Sequence, residues 1–182
     1  EGNISEAIKY YKSFINKGFE DKTVFSNFGM LLMERGKLKE AELFIRKAIE
    51  LNPEYANAHY NLGNILRDLK KLSEAAISLK KAIEIKPNFF EAHRDLGICL
   101  YLLKDIDSAL KYITKAYYLD KQNRTNKFLL SIFQREQNID VKNSEKNSSK
   151  SSFTKSESNS NLITLNLPVD KKLVKDLYNL KA

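Results

Sequence analysis

The chain has 182 residues, a formal net charge of +8 and a single cysteine. One cysteine excludes an internal disulfide framework and fits a reducing compartment, so we expect a cytoplasmic protein. No apolar run reaches the ~20 residues of a membrane-spanning helix. We therefore expect no membrane partner. The lysines are scattered rather than grouped with aromatic residues, which argues against a nucleic-acid partner.

The first predicted element is a lone amphipathic helix within residues 1–21. Its Glu6 and Ala7 recur 34 residues later as Glu40 and Ala41, in a segment that has another helix in front of it. Residues 1–21 therefore match the second half of a two-helix unit whose first half is missing. We expect its open apolar face to accept further repeats or a second copy of the chain.

The next segment, residues 22–55, contains both helices of such a unit. Phe25 and Phe28 begin a run of apolar residues at helical spacing, and Gly36 interrupts it. A second run of the same kind follows and ends at Pro53, because proline lacks the N–H that a continuing helix needs. The segment is predicted to be helix, short turn, helix, short turn.

The same unit returns in residues 56–89 and again in residues 90–123. Small residues stand at fixed positions in every unit, where two helices must approach to the 8–10 Å typical of packed pairs. The most regular of these columns holds Gly29, Gly63 and Gly97. A fixed period in this range predicts stacked helix pairs rather than one globular core.

The C-terminal part departs from the repeat. Residues 124–137 are amphipathic but follow no further repeat columns, and we expect a capping helix that shields the last pair. Residues 138–161 are almost entirely Ser, Asn, Lys and Glu, which predicts a disordered linker. Residues 162–182 predict a short strand and an amphipathic helix. This segment either docks on the repeats or opens a second domain, and the long linker favours the second reading.

These three units resemble tetratricopeptide repeats. The resemblance lies in the segments SNFGMLLMERGKLKEAELFIRKAIELNP, YNLGNILRDLKKLSEAAISLKKAIEIKP and RDLGICLYLLKDIDSALKYITKAYYLDK. It departs from the family where the usual Trp position holds Phe25, His59 and His93. The resemblance implies an all-α fold, an α-solenoid in the form of a right-handed superhelix, with the first helix of each pair on its concave wall.

The family geometry also implies which residues line the concave groove. The predicted peptide-binding residues are Asn27, Met30, Asn57, Tyr60, Asn61, Asn64, Arg67, Arg94, Asp95 and Tyr101.

One residue per unit in that set, namely Asn27, Asn61 and Asp95, forms what we call the asparagine ladder. An amide side chain can donate to and accept from a peptide backbone. The ladder resembles the asparagine-lined repeat domain of O-linked N-acetylglucosamine transferases. Its third rung, Asp95, is expected to repel an acidic peptide. The carboxylate clamp of co-chaperone repeats is matched only by Asn61, so binding through that clamp is not expected.

No residues point to catalysis within 1–137. His59 and His93 are predicted to pack rather than to bind a metal, because no acidic or cysteine ligand shares their face. Cys99 is predicted to be a buried, inert thiol. We therefore expect no catalytic, metal or cofactor site and no cofactor.

The predicted function is that of a protein–protein interaction module, which binds a peptide or protein segment in the concave groove. The alternative is a substrate-recruiting arm of a larger enzyme, a glycosyl or sulfuryl transferase or an oxygenase, with its catalytic domain beyond residue 182.

Overall fold

A computed structural model describes the backbone of residues 2–148 and the side chains of residues 5–138. That part of the chain contains helices and no strands. The helices are α1 (Gly2–Asn16), α2 (Lys22–Glu34), α3 (Leu38–Leu51), α4 (Ala56–Asp68), α5 (Leu72–Ile85), α6 (Phe90–Leu102), α7 (Ile106–Leu119) and α8 (Arg124–Ser148). The predicted strand and helix of residues 162–182 lie outside the described residues.

The helices form three antiparallel pairs, α2 with α3, α4 with α5 and α6 with α7, and each pair packs against the next. Helix α1 packs on the first pair and helix α8 on the last. The predicted all-α solenoid of repeated helix pairs is confirmed. None of its described helices is both long enough and apolar enough to span a bilayer.

The glycine column lies where the two helices of a pair touch. A β-carbon placed on Gly63 would lie 2.6 Å from Leu79 Cγ and 3.3 Å from the Ala75 carbonyl oxygen. Gly29 and Gly97 face the equivalent alanine carbonyl and the equivalent branched side chain of their own units. The three glycines therefore occupy like surroundings, as a true repeat requires.

The turn inside each pair is also repeated. The backbone N–H of the residue before each second helix donates to a leucine carbonyl five residues earlier, at 2.8–3.0 Å: Lys37 to Leu32, Lys71 to Leu66 and Asp105 to Leu100. The preceding residue has a positive φ in every unit, 72° at Gly36, 65° at Lys70 and 68° at Lys104. Only the first unit has the glycine that this conformation favours.

Two matching hydrogen bonds locate the terminal helices within the repeat. Arg35 Nη2 donates to Ser5 Oγ of α1 at 3.2 Å, and Gln137 Nε2 of α8 donates to Asp107 Oδ1 at 2.8 Å. Each bond joins residues 30 apart, from the start of a second helix to the helix that follows it. Helix α1 thus takes the place of a second helix.

Helix α8 differs from its prediction in two ways. It occupies the place of a first helix, although its residues depart from the repeat columns. It also continues past Gln137, the predicted end, to Ser148, so residues 138–148 are helical rather than part of the linker. The rest of the predicted linker lies outside the described residues. Inside α8, Phe133 is fully buried and stacks on Tyr101, with ring centroids 4.5 Å apart.

Candidate peptide-binding groove

The first helices form the inner layer of the solenoid. Helix α2 packs directly on α4, and α4 packs directly on α6. No comparable packing joins α3 to α5 or α5 to α7 within the described residues. The second helices therefore splay apart while the first helices stay in contact, which curves the array around the first helices. The predicted wall of the groove is the wall that this geometry makes concave.

Side chains of successive first helices hydrogen-bond across a line that we call the inner seam. Each bond joins residues 35 apart, and the pairs are Asn61 with Ser26, Tyr60 with Asp95, and Tyr101 with Glu136. The donor–acceptor distance is 3.1 Å for the first pair and 3.0 Å for the second. Polar groups that face the groove in the sequence pattern are thus partly used to hold the wall together.

The three rungs of the asparagine ladder are consequently unlike one another. Asn27 is exposed on the first inner helix, whereas Asn61 is half-buried and donates its amide N–H to Ser26. Asp95 is buried, and both of its carboxylate oxygens have partners. This geometry does not fit the expectation that Asp95 repels an acidic peptide. The carboxylate is buried, and Tyr60 and Arg94 donate hydrogen bonds to it.

Two arginines surround that carboxylate, and we call Arg67 and Arg94 the arginine pair. Arg94 Nε donates to Asp95 Oδ1 at 2.8 Å, and Arg67 Nη1 lies 3.9 Å from Asp95 Oδ2. Arg67 also contacts the more exposed Asp68 at 3.5 Å. Both arginine side chains are half-buried, and they lie on α4 and α6.

The other predicted residues divide by exposure. Among the ten, the exposed ones are Asn27 and Asn57, the half-buried ones are Met30, Tyr60, Asn61, Arg67 and Arg94, and the buried ones are Asn64, Asp95 and Tyr101. Tyr101 is only 3% exposed because Phe133 and Glu136 of α8 cover it. We remove Tyr101 from the proposed contact surface for this reason.

The position of Tyr60 in the inner seam raises its pKa, and an NMR titration can measure this change. Burial and the nearby Asp95 charge raise the pKa of Tyr60 to about 12. We expect Asp95→Asn to lower this pKa and Asp68→Asn to leave it unchanged, in a ¹³Cζ-tyrosine NMR titration assigned with Tyr60→Phe. Because the pKa of Tyr60 is higher in the folded chain than in the unfolded one, the protonated hydroxyl stabilises the fold. This contribution to the free energy of unfolding is complete below the unfolded pKa of about 10 and is lost as pH rises through 12. A Tyr60 titration at the ordinary tyrosine pKa would contradict the seam geometry.

The two histidines and the cysteine, which are the residues considered for catalysis, have structural roles. His59 Nε2 lies 2.8 Å from the Pro53 carbonyl oxygen, and His93 Nε2 lies 2.9 Å from that of Pro87. Each histidine thus ties the start of a first helix to the preceding loop. Cys99 is fully buried, and burial raises its pKa to about 12. No group of three potential metal ligands occurs among the described residues.

Sequence reasoning missed a cleft on the opposite side of the solenoid. This outer cleft has a volume of about 580 Å³ and opens where α3 and α5 splay over α4. Its apolar floor is formed by Ile49, Leu62 and Ile77, and the side chain of Ile77 is 69% exposed. The available signal was Ile77, an apolar residue at a repeat position where the first and last units have Lys9 and Lys111.

Comparison with known proteins agrees with this architecture. Tetratricopeptide repeat family models match residues 29–66, 56–89 and 92–123, which together make up just over half of the chain. No curated protein matches the chain in sequence.

Three solved structures illustrate the similarity of fold. The crystal structure of MamA has 19% identity and a TM-score of 0.71, over 76% of this chain and 81% of that one. A MamA RS-1 ArsTM double mutant has 20% identity and a TM-score of 0.70, over 75% and 76%. The first TPR domain of Spaghetti (RPAP3), bound to the HSP90 peptide SRMEEVD, has 19% identity and a TM-score of 0.63, over 64% and 92%. The chain belongs to the tetratricopeptide repeat family.

Proposed function

We propose that this chain is a protein-interaction module that binds an extended segment of a partner along the concave wall. The observation that carries the proposal is the wall itself, where Asn27 and Asn57 stand exposed beside half-buried Met30 and the arginine pair. Exposed amides with unused donors and acceptors can pair with a peptide backbone. The peptide held by the RPAP3 repeat domain supports the same use of this fold.

The hydrogen bonds of the inner seam reduce the number of ladder residues that can contact a peptide, compared with an asparagine-lined repeat domain. Among the residues that the structure describes, none hydrogen-bonds to the side chain of Asn27, and none donates to the side-chain carbonyl oxygen of Asn61. Asp95 is withdrawn beneath the arginine pair. We therefore propose that Asn27, at the α2 end of the wall, contacts the backbone of the bound segment. The arginine pair, where α4 meets α6 (the α4–α6 step), contacts charged groups of that segment.

Binding rather than catalysis is the role that we infer for the described repeats. The two histidines each use Nε2 on a loop carbonyl, and the Cys99 thiol is buried and held neutral by its raised pKa. We further propose a cytoplasmic setting, on the strength of the single, buried and reduced cysteine.

Peptide selection tests the location of the site. A random peptide library displayed on phage is selected against residues 1–182, and affinities are measured by fluorescence anisotropy. We expect Asn27→Ala combined with Asn57→Ala to weaken a selected peptide by about 1–3 kcal/mol, the cost of lost hydrogen bonds in a desolvated contact.

The matched control changes two exposed side chains on the outer face, Leu43→Ala with Ile77→Ala, and leaves affinity within twofold. The opposite pattern would assign the binding site to the outer cleft and overturn the proposal. Because all four residues are exposed, circular dichroism should show that both double variants remain folded.

A further inference from the structure

The arginine pair lies closer to solvent than the Asp95 carboxylate that it contacts. The side chains of Arg67 and Arg94 are 22% and 20% exposed, whereas that of Asp95 is 5% exposed. The carboxylate therefore lies beneath the guanidinium groups and orients them from below. A segment lying on the wall meets the arginines before it meets the aspartate.

Hydrogen-bonding capacity remains on this surface. Arg94 uses Nε on Asp95, and its two Nη groups make no hydrogen bond with another described residue. A guanidinium group fixed at one edge offers its other donors in a geometry that suits a carboxylate. Arg67 also contacts Asp68, whose side chain is 40% exposed, so water screens this ion pair and it contributes little energy. Arg94 is thus the principal hydrogen-bond donor for a ligand carboxylate, and Arg67 is the second.

The position of the pair within the wall determines which carboxylate it receives. Helices α4 and α6 are flanked by α2 on one side and α8 on the other. A segment that crosses the arginines can continue along the wall in both directions, so it need not end there. A side-chain carboxylate meets this geometry, and a chain terminus is not required.

We propose that the partner segment carries an Asp or Glu side chain that binds Arg94 and Arg67 at the α4–α6 step. The inference rests on the proposed groove binding and adds the chemical class of the partner, an acidic internal segment. The site differs from the carboxylate clamp of co-chaperone repeats, whose positions this chain matches only at Asn61.

An end-blocked peptide library tests the inference. The probe is a positional library of N-acetylated, C-amidated octapeptides, each position fixed in turn as Glu, Gln or Lys, bound to residues 1–182. We expect one position at which Glu is favoured over Gln by tenfold or more at 50 mM NaCl, with the preference reduced at 500 mM NaCl because salt screens the pair.

Matched variants separate the role of charge from that of folding. Arg94→Gln alone leaves Asp95 buried without its main partner, so Arg94→Gln with Asp95→Asn is used to remove both charges together. This double variant should lose the Glu preference to within twofold, whereas Asp95→Asn alone should retain it. Circular dichroism confirms that each variant is folded.

The outcomes distinguish the two proposals. A Glu preference that persists in the double variant, or selective binding at other positions with no preference for Glu, overturns the acidic-segment inference and leaves groove binding standing. Absence of binding by any sublibrary, together with a failed phage selection, overturns groove binding itself.

Discussion

Replacing Phe133 with alanine is expected to destabilise the last helix pair by about 3–5 kcal/mol, the usual cost of deleting a buried phenylalanine ring. Phe133 is fully buried and stacks on Tyr101 at an interplanar angle of 6°. Its loss removes both the apolar contact and the cover over Tyr101. Urea unfolding of the full chain reports the change in free energy.

Hydrogen exchange shows where that energy is lost. Each repeat contacts only its neighbours, so α8 and α6–α7 should lose protection while α2–α5 keep theirs. Gln134→Ala is the matched control, an exposed neighbour on the same helix, and should change stability by less than about 0.5 kcal/mol. Equal stability of the Phe133 variant and the control would show that α8 does not belong to the folded array.

Replacing Gly63 with valine is expected to cost about 2–3 kcal/mol through overpacking. A β-carbon at this position already lies 2.6 Å from Leu79 Cγ, and valine adds two methyl groups to that contact. Leu79 is fully buried and cannot withdraw without disturbing the interface between α4 and α5. The helix preference of valine over glycine offsets only a few tenths of a kcal/mol.

The control is Asn57→Val on the same helix, which introduces the same β-branched side chain at an exposed position. Thermal unfolding should place this control within a few degrees of the parent chain and the Gly63 variant well below it. A Gly63 variant as stable as the control would mean that the two helices of this pair are further apart than the structure shows.

The repeat architecture was predictable because its determinants are local columns. Gly63 must be small wherever Ala75 and Leu79 stand 12 and 16 residues later, and the same rule holds in the units before and after. The place of α8 was not predictable in this way. The residues that recur in each first helix are those that pack on the second helix of the same unit. No such helix follows α8 among the described residues, so α8 does not need those residues.

The candidate site was predictable only in part. Helical spacing and the family geometry assigned the wall, but they did not show which polar groups on it were already in use. The bond from Asn61 to Ser26 and that from Tyr60 to Asp95 depend on side-chain rotamers of residues 35 apart, which no single helix reveals. Pairs of polar residues recurring at that separation were the available signal.

The contrast between touching first helices and splayed second helices has a mechanical consequence. Along the inner seam, direct packing and one polar bridge per step hold the spacing of successive units nearly constant. On the outside, flexible ion pairs such as Lys71 with Glu42, 3.5 Å apart, tolerate a change in spacing. We therefore expect the array to bend about its inner edge. A change in curvature then alters the spacing of the second helices, while the length of the concave wall stays nearly constant.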